Sequence, residues 1–227
     1  MPQAALIQIV NRLQKHYGPP PPDEPEGPFE MVLWEIVAYL ADDATRTLAF
    51  RALKRRTDCD PQRILDTPLA ELQLITRLGG AIASADRAER LYTAARLALE
   101  EFEGDLSRVL RMPLPKAKRA LMKFPMIGEP GAEKILLLTG AQAILALDSN
   151  GLRVMLRLGY GVENKSYTAS YRSVRQDVLA DSDYGIEFLQ PAHKLLRIHG
   201  QRACKTTGPE CPACPLRTRC AYPAKHR

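Results

Sequence analysis

The chain has 227 residues, with 32 Lys and Arg against 26 Asp and Glu and a formal net charge of +6. That length can bury a sizeable core in one large or two small domains, and the positive balance makes a polyanion a reasonable partner without requiring one. No apolar run approaches bilayer-spanning length and no secretory signal is visible, so a soluble, intracellular protein is expected.

In chain order, Leu6, Ile9, Val10 and Leu13 give helical spacing over residues 3–17, until Gly18 and four prolines break it. Residues 18–27 read as a surface linker. Residues 29–40 are mostly apolar, with Glu35 the only acid after Glu30, which predicts a helix buried on most sides. Glu35 is then either paired in the core or facing a cleft, because an unpaired buried carboxylate is costly. Asp42-Asp43 predicts the next helix start, with Leu48, Phe50 and Leu53 inward. Asp60-Pro61 and Thr67-Pro68 each set a capping residue before a proline at a first helical position. After Gly79-Gly80, Ser84 or Asp86 opens a longer helix to about Phe102, with Leu91, Ala95 and Leu99 on one stripe. Cys59 stands alone between Asp58 and Asp60 and reads as an inert thiol.

Residues 116–157 concentrate the chemistry. Arg111, Lys116, Lys118, Arg119 and Lys123 supply cations with no acid between them, ahead of the hairpin Phe124-Pro125-Met126-Ile127-Gly128-Glu129-Pro130-Gly131-Ala132. Gly128 and Gly131 permit a tight turn with exposed amides, and Pro130 suits the first turn of a helix whose N-terminus can receive an anion. Asp148 follows Ala146-Leu147 and precedes Ser149-Asn150-Gly151, at a helix boundary where a carboxylate often caps. Plausible helices follow over 152–158, 171–179 and 184–198. No alternating strand pattern is found, so the fold class is all-α.

Four of the five cysteines form a tail motif, Cys204, Cys211, Cys214 and Cys220, spaced C-x6-C-x2-C-x5-C and followed by a basic tail. In a reducing compartment such thiolates imply a metal centre. Zinc favours paired short spacings, whereas a [4Fe–4S] cluster takes one thiolate per iron and tolerates uneven loops, so the spacing favours the cluster. Lys205, Arg217 and Arg219 among these ligands, against Glu210 alone, read as an anion-facing or simply solvated loop.

The hairpin, the Leu147-Asp148 boundary followed by Arg153-Val154, Leu196-x-x-His199-Gly200 and the cysteine tail together resemble the iron–sulfur endonuclease III family of helix-hairpin-helix DNA glycosylases, from about Phe29 onward. The resemblance implies two lobes. A six-helix barrel domain spans 28–147 and carries the helix-hairpin-helix motif at about 116–138. A cluster domain comprises 1–27 plus 148–227, with its cluster loop at 204–220. It implies a [4Fe–4S] cofactor on the four cysteines and Asp148 as catalytic aspartate. It also implies contacts to lesion- or mismatch-bearing duplex DNA from Lys123, Met126, Ile127, Gly128, Gly131 and Arg153. A cytoplasmic, nucleoid-associated monomer without membrane contact is expected.

The chemistry suits those parts. A stacked base must be flipped out before its glycosidic bond is cut. A fixed carboxylate can stabilise the charge that develops on the sugar and direct the nucleophile. The chain departs from the family pattern in informative places. Pro130 stands where bifunctional members carry their Schiff-base lysine, and Met126 where the first hairpin glycine is usual. Lys134, one helical turn beyond Pro130, could reach the same face, although a solvated or phosphate-facing charge is the commoner role. Glu35 aligns with the purine-protonating glutamate of adenine glycosylases in one register; in another, that site is Tyr39. Asp43 or Leu40 replaces the glutamine pushed into the DNA stack. The chain is also short of the extra recognition domain of adenine glycosylases. A monofunctional glycosylase using water, with weak or absent lyase activity, is therefore expected. The alternative is a catalytically weak DNA-binding or redox-responsive iron–sulfur protein of the same fold.

Overall fold

A computed structural model describes residues 5–181, 184–220 and 222; positions 3 and 4 of the first expected helix and all of the basic tail beyond Cys220 except Tyr222 lie outside them. Among the described residues the regular structure is helical throughout, in twelve α-helices and two short 3₁₀ turns. None of these helices is long and apolar enough to cross a membrane. The chain divides into two compact units, Asp23–Ala141 and Met1–Pro22 with Gln142–Arg227.

Helix α1 (Leu6–Tyr17) buries Leu6, Ile9, Val10 and Leu13, the stripe read from spacing. The Asp23–Ala141 unit begins with α2 (Pro28–Val37), which ends three residues before Leu40. Tyr39 and Leu40 therefore lie in a loop rather than on the predicted helix, with Leu40 at φ 49° and largely exposed. Asp42 caps α3 (Asp43–Thr57) by accepting from Thr45 N at 2.7 Å. Phe50 and Leu53 turn inward as expected, whereas Leu48 is exposed, because the buried phase is set by Ala49, Phe50, Leu53 and Thr57. Asp60 caps α4 (Pro61–Asp66) through Arg63 N at 2.8 Å. Thr67 does not cap the helix after it. Its hydroxyl donates back to Arg63 O at 2.7 Å, and α5 (Leu69–Leu78) starts without a side-chain cap.

Helix α6 (Ser84–Phe102) is the post of this unit. It buries Ala88, Leu91, Ala94, Ala95, Ala98 and Phe102, and its small residues let α2, α4 and α5 pack close. Leu99 is only half-buried. Arg87 in α6 is fully buried and donates to three carbonyls, Val37 O at 2.8 Å, Gly79 O at 3.1 Å and Gly80 O. One guanidinium thus closes the C-terminal ends of α2 and α5, whose carbonyls no helical amide can reach. The unit finishes with α7 (Ser107–Leu110), α8 (Leu114–Leu121) and α9 (Glu129–Leu138).

In the other unit α10 (Ser149–Arg157), α11 (Tyr167–Asp181) and α12 (Ile186–Arg202) follow the buried stretch Ile144 to Leu147. Helix α12 packs on both α1 and α10. Its contact with α10 depends on Gly200, where an added Cβ would lie 2.6 Å from Asn150 O.

Candidate functional site

In the Asp23–Ala141 unit the turn between α8 and α9 is the expected hairpin, but its conformational demand falls elsewhere. Gly128 has φ −89° and Gly131 is already helical, while Met126 takes φ 65°, in the left-handed region that costs a side-chain-bearing residue about 1 kcal/mol or more. Met126 is partly exposed and Ile127 is buried. Gly128 is the N-cap of α9 and supplies no side-chain cap, so the first amides of that helix are left to other partners.

The cations ahead of the turn divide into two groups. Lys118 Nζ sits 2.5 Å from Glu129 Oε1 and 2.6 Å from Glu133 Oε1, and Glu133 is fully buried. Burial works against the ammonium, yet hydrogen bonds to the two carboxylates outweigh it and raise the Lys118 pKa. Lys123, expected to face DNA, pairs with Glu101 of α6 while staying half-exposed. Arg111, Lys116 and Arg119 are exposed. An acid at the start of α9 was not weighed in the sequence reading, and it places Lys118 inside the hairpin rather than on its surface.

Glu35 and Lys134 come together. Lys134 Nζ lies 2.7 Å from Glu35 Oε1, joining α9 to α2, with each side chain about one-fifth exposed (21% and 23%). Glu35 is thus paired, although partly exposed rather than in the core. Tyr39 is partly exposed beyond the end of α2, on the loop side of this pair. Trp34 packs edge-on against Phe50 at 5.3 Å between ring centroids, consistent with core. Burial, chiefly, pushes the Cys59 thiol up to about 12, which keeps it protonated and inert.

In the unit formed from both chain ends, Asp148 is the N-cap of α10, with Oδ1 accepting from Gly151 N at 2.8 Å. Its Oδ2 receives Arg197 Nε at 3.1 Å and Asn150 Nδ2 at 3.4 Å, and the side chain is 21% exposed. The carboxylate is thus neither buried in the core nor loose at the surface. The preceding backbone is also held: His193 Nδ1 donates to Ala146 O at 2.8 Å, and the Tyr167 hydroxyl donates to Leu147 O at 3.0 Å. Burial, and after it the Asp148 charge, raises the Tyr167 phenol, which stays protonated. Arg153 was expected to meet DNA. Instead its guanidinium turns inward, donating to Cys204 O, Asn150 Oδ1 and Gly200 O at 2.8 Å each, with its pKa lowered chiefly by burial.

The four tail cysteines line one pocket with Val154, Leu158, His199, Leu216 and Arg157, a space of about 380 Å³ reckoned out to open solvent. The 3₁₀ turns Cys211–Ala213 and Arg217–Arg219 shape its wall. Arg157 Nη1 donates to Cys204 Sγ at 3.2 Å and Leu216 N to Cys214 Sγ at 3.4 Å. His199, whose Nε2 is 3.6 Å from Cys214 Sγ and whose Nδ1 is 2.9 Å from the Tyr17 hydroxyl, is depressed to about 4, first by burial. Among the described residues no three His, Cys, Asp or Glu side chains converge as a single-ion site requires. Arg197, His193 and Tyr167 carry no local signal in the sequence that marks them as partners of the Asp148 segment. The i, i+4 spacing of His193 and Arg197 was visible, but their partners lie 47 and 49 residues away.

No protein-family model matches the chain. Endonuclease III of Rickettsia conorii is 25% identical to it over 222 residues, covering 97% of each sequence. Among solved structures, a trapped endonuclease III–DNA covalent intermediate is similar with a TM-score of 0.77 at 20% identity, over 98% of this chain and 99% of that one. A thermostable thymine-DNA glycosylase is similar with a TM-score of 0.72 at 18% identity, over 97% of each.

Proposed function

We propose that this chain, an endonuclease III-like helix-hairpin-helix protein, is a DNA glycosylase that removes a damaged or mispaired base from duplex DNA by hydrolysis. The observation that carries this reading is Asp148: a partly exposed carboxylate fixed at both oxygens, by a helix amide on one and a guanidinium on the other. As the C1′–N bond breaks, its electron pair leaves with the base and positive charge builds on the sugar, where a fixed negative charge lowers the barrier. A water oxygen then bonds to C1′; one water proton passes to Asp148 or solvent, and the base ends protonated. The departing base takes its proton from solvent; a carboxylate salt-bridged to an ammonium, as Glu35 is to Lys134, is a poor donor. The absence of an amine at Pro130, and the engagement of Lys134 by Glu35, support a monofunctional enzyme with little lyase activity.

On DNA, the exposed amides at Gly128 and the cations Lys116, Arg119 and Arg111 would bind backbone phosphate without reading sequence. Met126, Gly131 and Lys123 would belong to the same contact surface, whereas the Ile127 side chain is buried beneath it. The four cysteines suit an iron–sulfur group: soft donors around one pocket, apolar walls, and N–H donors aimed at two sulfurs. A [4Fe–4S] cluster held there would staple the 204–220 loop to α10 and α12. Iron and sulfide with visible absorption are expected in the purified protein; one zinc per chain without that absorption would displace the cluster.

The test of function is a panel of lesion and mismatch duplexes, read with and without alkali. Strand breaks appearing only after alkali are expected. Breaks without alkali, trapped by borohydride as a covalent adduct, would contradict monofunctionality. Tight binding with no product on any substrate would favour a DNA-binding protein that has lost the chemistry.

A further inference from the structure

Besides the cap that Asp148 makes on its own helix, contacts that hold its segment come from one face of α12. On α12, His193, Arg197 and Gly200 follow at i, i+4 and i+7, so all three face α10. His193 binds Ala146 O, Arg197 binds Asp148 Oδ2, and Gly200 lets Asn150 O approach closer than any side chain would allow. The segment that carries the carboxylate is therefore laid against α12 at three successive points. Two of these set the backbone; Arg197 alone of the three reaches the reactive group itself. Its guanidinium is 27% exposed and the carboxylate 21%, so solvent weakens the pair without dissolving it.

Resting on the reading of Asp148 as the catalytic carboxylate, we propose that Arg197 is its positioning residue, keeping the carboxylate charged and in one orientation for the sugar. The helix cap alone cannot do this. Gly151 N fixes Oδ1; at Oδ2 the Asn150 amide reaches 3.4 Å, and the Arg197 contact at 3.1 Å is shorter and brings a positive charge. Charged and titratable groups near Asp148 come from three helices. Arg197 and His193 come from α12, Arg153 from α10 and Tyr167 from α11. Arg153 is directed to backbone carbonyls and Asn150, and Tyr167 to Leu147 O, whereas Arg197 meets the carboxylate directly. An opposite charge at this range favours the ionised carboxylate, so activity should persist to lower pH with Arg197 present than without it.

The experiment compares wild type with Arg197→Met, Arg197→Lys and Asp148→Asn. It measures single-turnover excision across pH and, separately, binding to the same duplex. Arg197→Met keeps the apolar stem and removes the charge. Its rate at neutral pH should fall by about tenfold to a hundredfold, its acid limb should move to higher pH, and its DNA affinity should stay within about threefold. Arg197→Lys restores the charge, so it should return the acid limb to the wild-type position and recover part of the rate. Asp148→Asn should be inactive. An unmoved acid limb in Arg197→Met overturns the proposal, whatever happens to its rate, since loss of packing alone does not move a titration. If Arg197→Met fails to fold, Arg197→Lys decides, and a displaced acid limb there contradicts the assignment. An active Asp148→Asn would instead remove the underlying reading of Asp148.

Discussion

The α8–α9 hairpin and the Asp148 corner both begin as the same sequence feature, a polar turn ahead of a helix, and they are built in opposite ways. The hairpin is self-contained. Lys118 pairs with both Glu129 and Glu133 within sixteen residues, and the hairpin's backbone strain sits on its own Met126. The Asp148 corner is held from a distance, by His193 and Arg197 some fifty residues later and by an α12 glycine. Local charge can be neutralised locally, but a carboxylate that must stay charged and directed needs a scaffold that does not belong to its own turn. Under the proposed function, the difference would separate a surface that binds DNA from a corner that carries the chemistry.

The largest effect on that comparison should come from removing the post behind the hairpin unit. Arg87→Met leaves three buried carbonyls without their donor and should cost about 3–5 kcal/mol in urea unfolding. A loss below 1 kcal/mol would show that water replaces the guanidinium. Next, Lys118→Ala removes the cation 2.6 Å from the fully buried Glu133 and should cost about 1–3 kcal/mol while leaving the salt dependence of DNA binding unchanged. Lys116→Ala with Arg119→Ala should do the reverse: stability within about 0.5 kcal/mol, and a slope of log affinity on log salt shallower by about two. A Lys118→Ala slope change of that size would return Lys118 to the binding surface. The smallest effect is a gain. Met126→Gly relieves the left-handed backbone and should stabilise by about 0.5–1 kcal/mol in thermal or urea melts, where a loss would mean the methionine side chain packs usefully.

What could be read in the sequence divides along the same line. The all-α class, the stripe of α1, the caps at Asp42 and Asp60, the end of α6 near Phe102 and the cap position of Asp148 follow from local spacing and capping chemistry. The errors were also local, and each has a physical cause. Leu48 belongs to the wrong helical phase, Thr67 found a carbonyl behind it before an amide ahead, and α2 stopped at Val37, where its end meets Arg87. The pairing of Glu35 with Lys134, and the turning of Arg153 toward Cys204 O, depend on which helices become neighbours. A single sequence does not state that. Arg197 was unreadable for the same reason: on its own helix it is one more arginine on a polar face.

The central claim is that the Asp148 charge drives base excision, and it is tested most directly by single-turnover kinetics of Asp148→Asn on a lesion the wild type removes, with binding measured on the same duplex. Asparagine also caps helices, so α10 should survive the exchange. The account predicts a fall of about a thousandfold in excision rate with affinity within about threefold. Excision at the wild-type rate would contradict it and leave Asp148 a helix cap only.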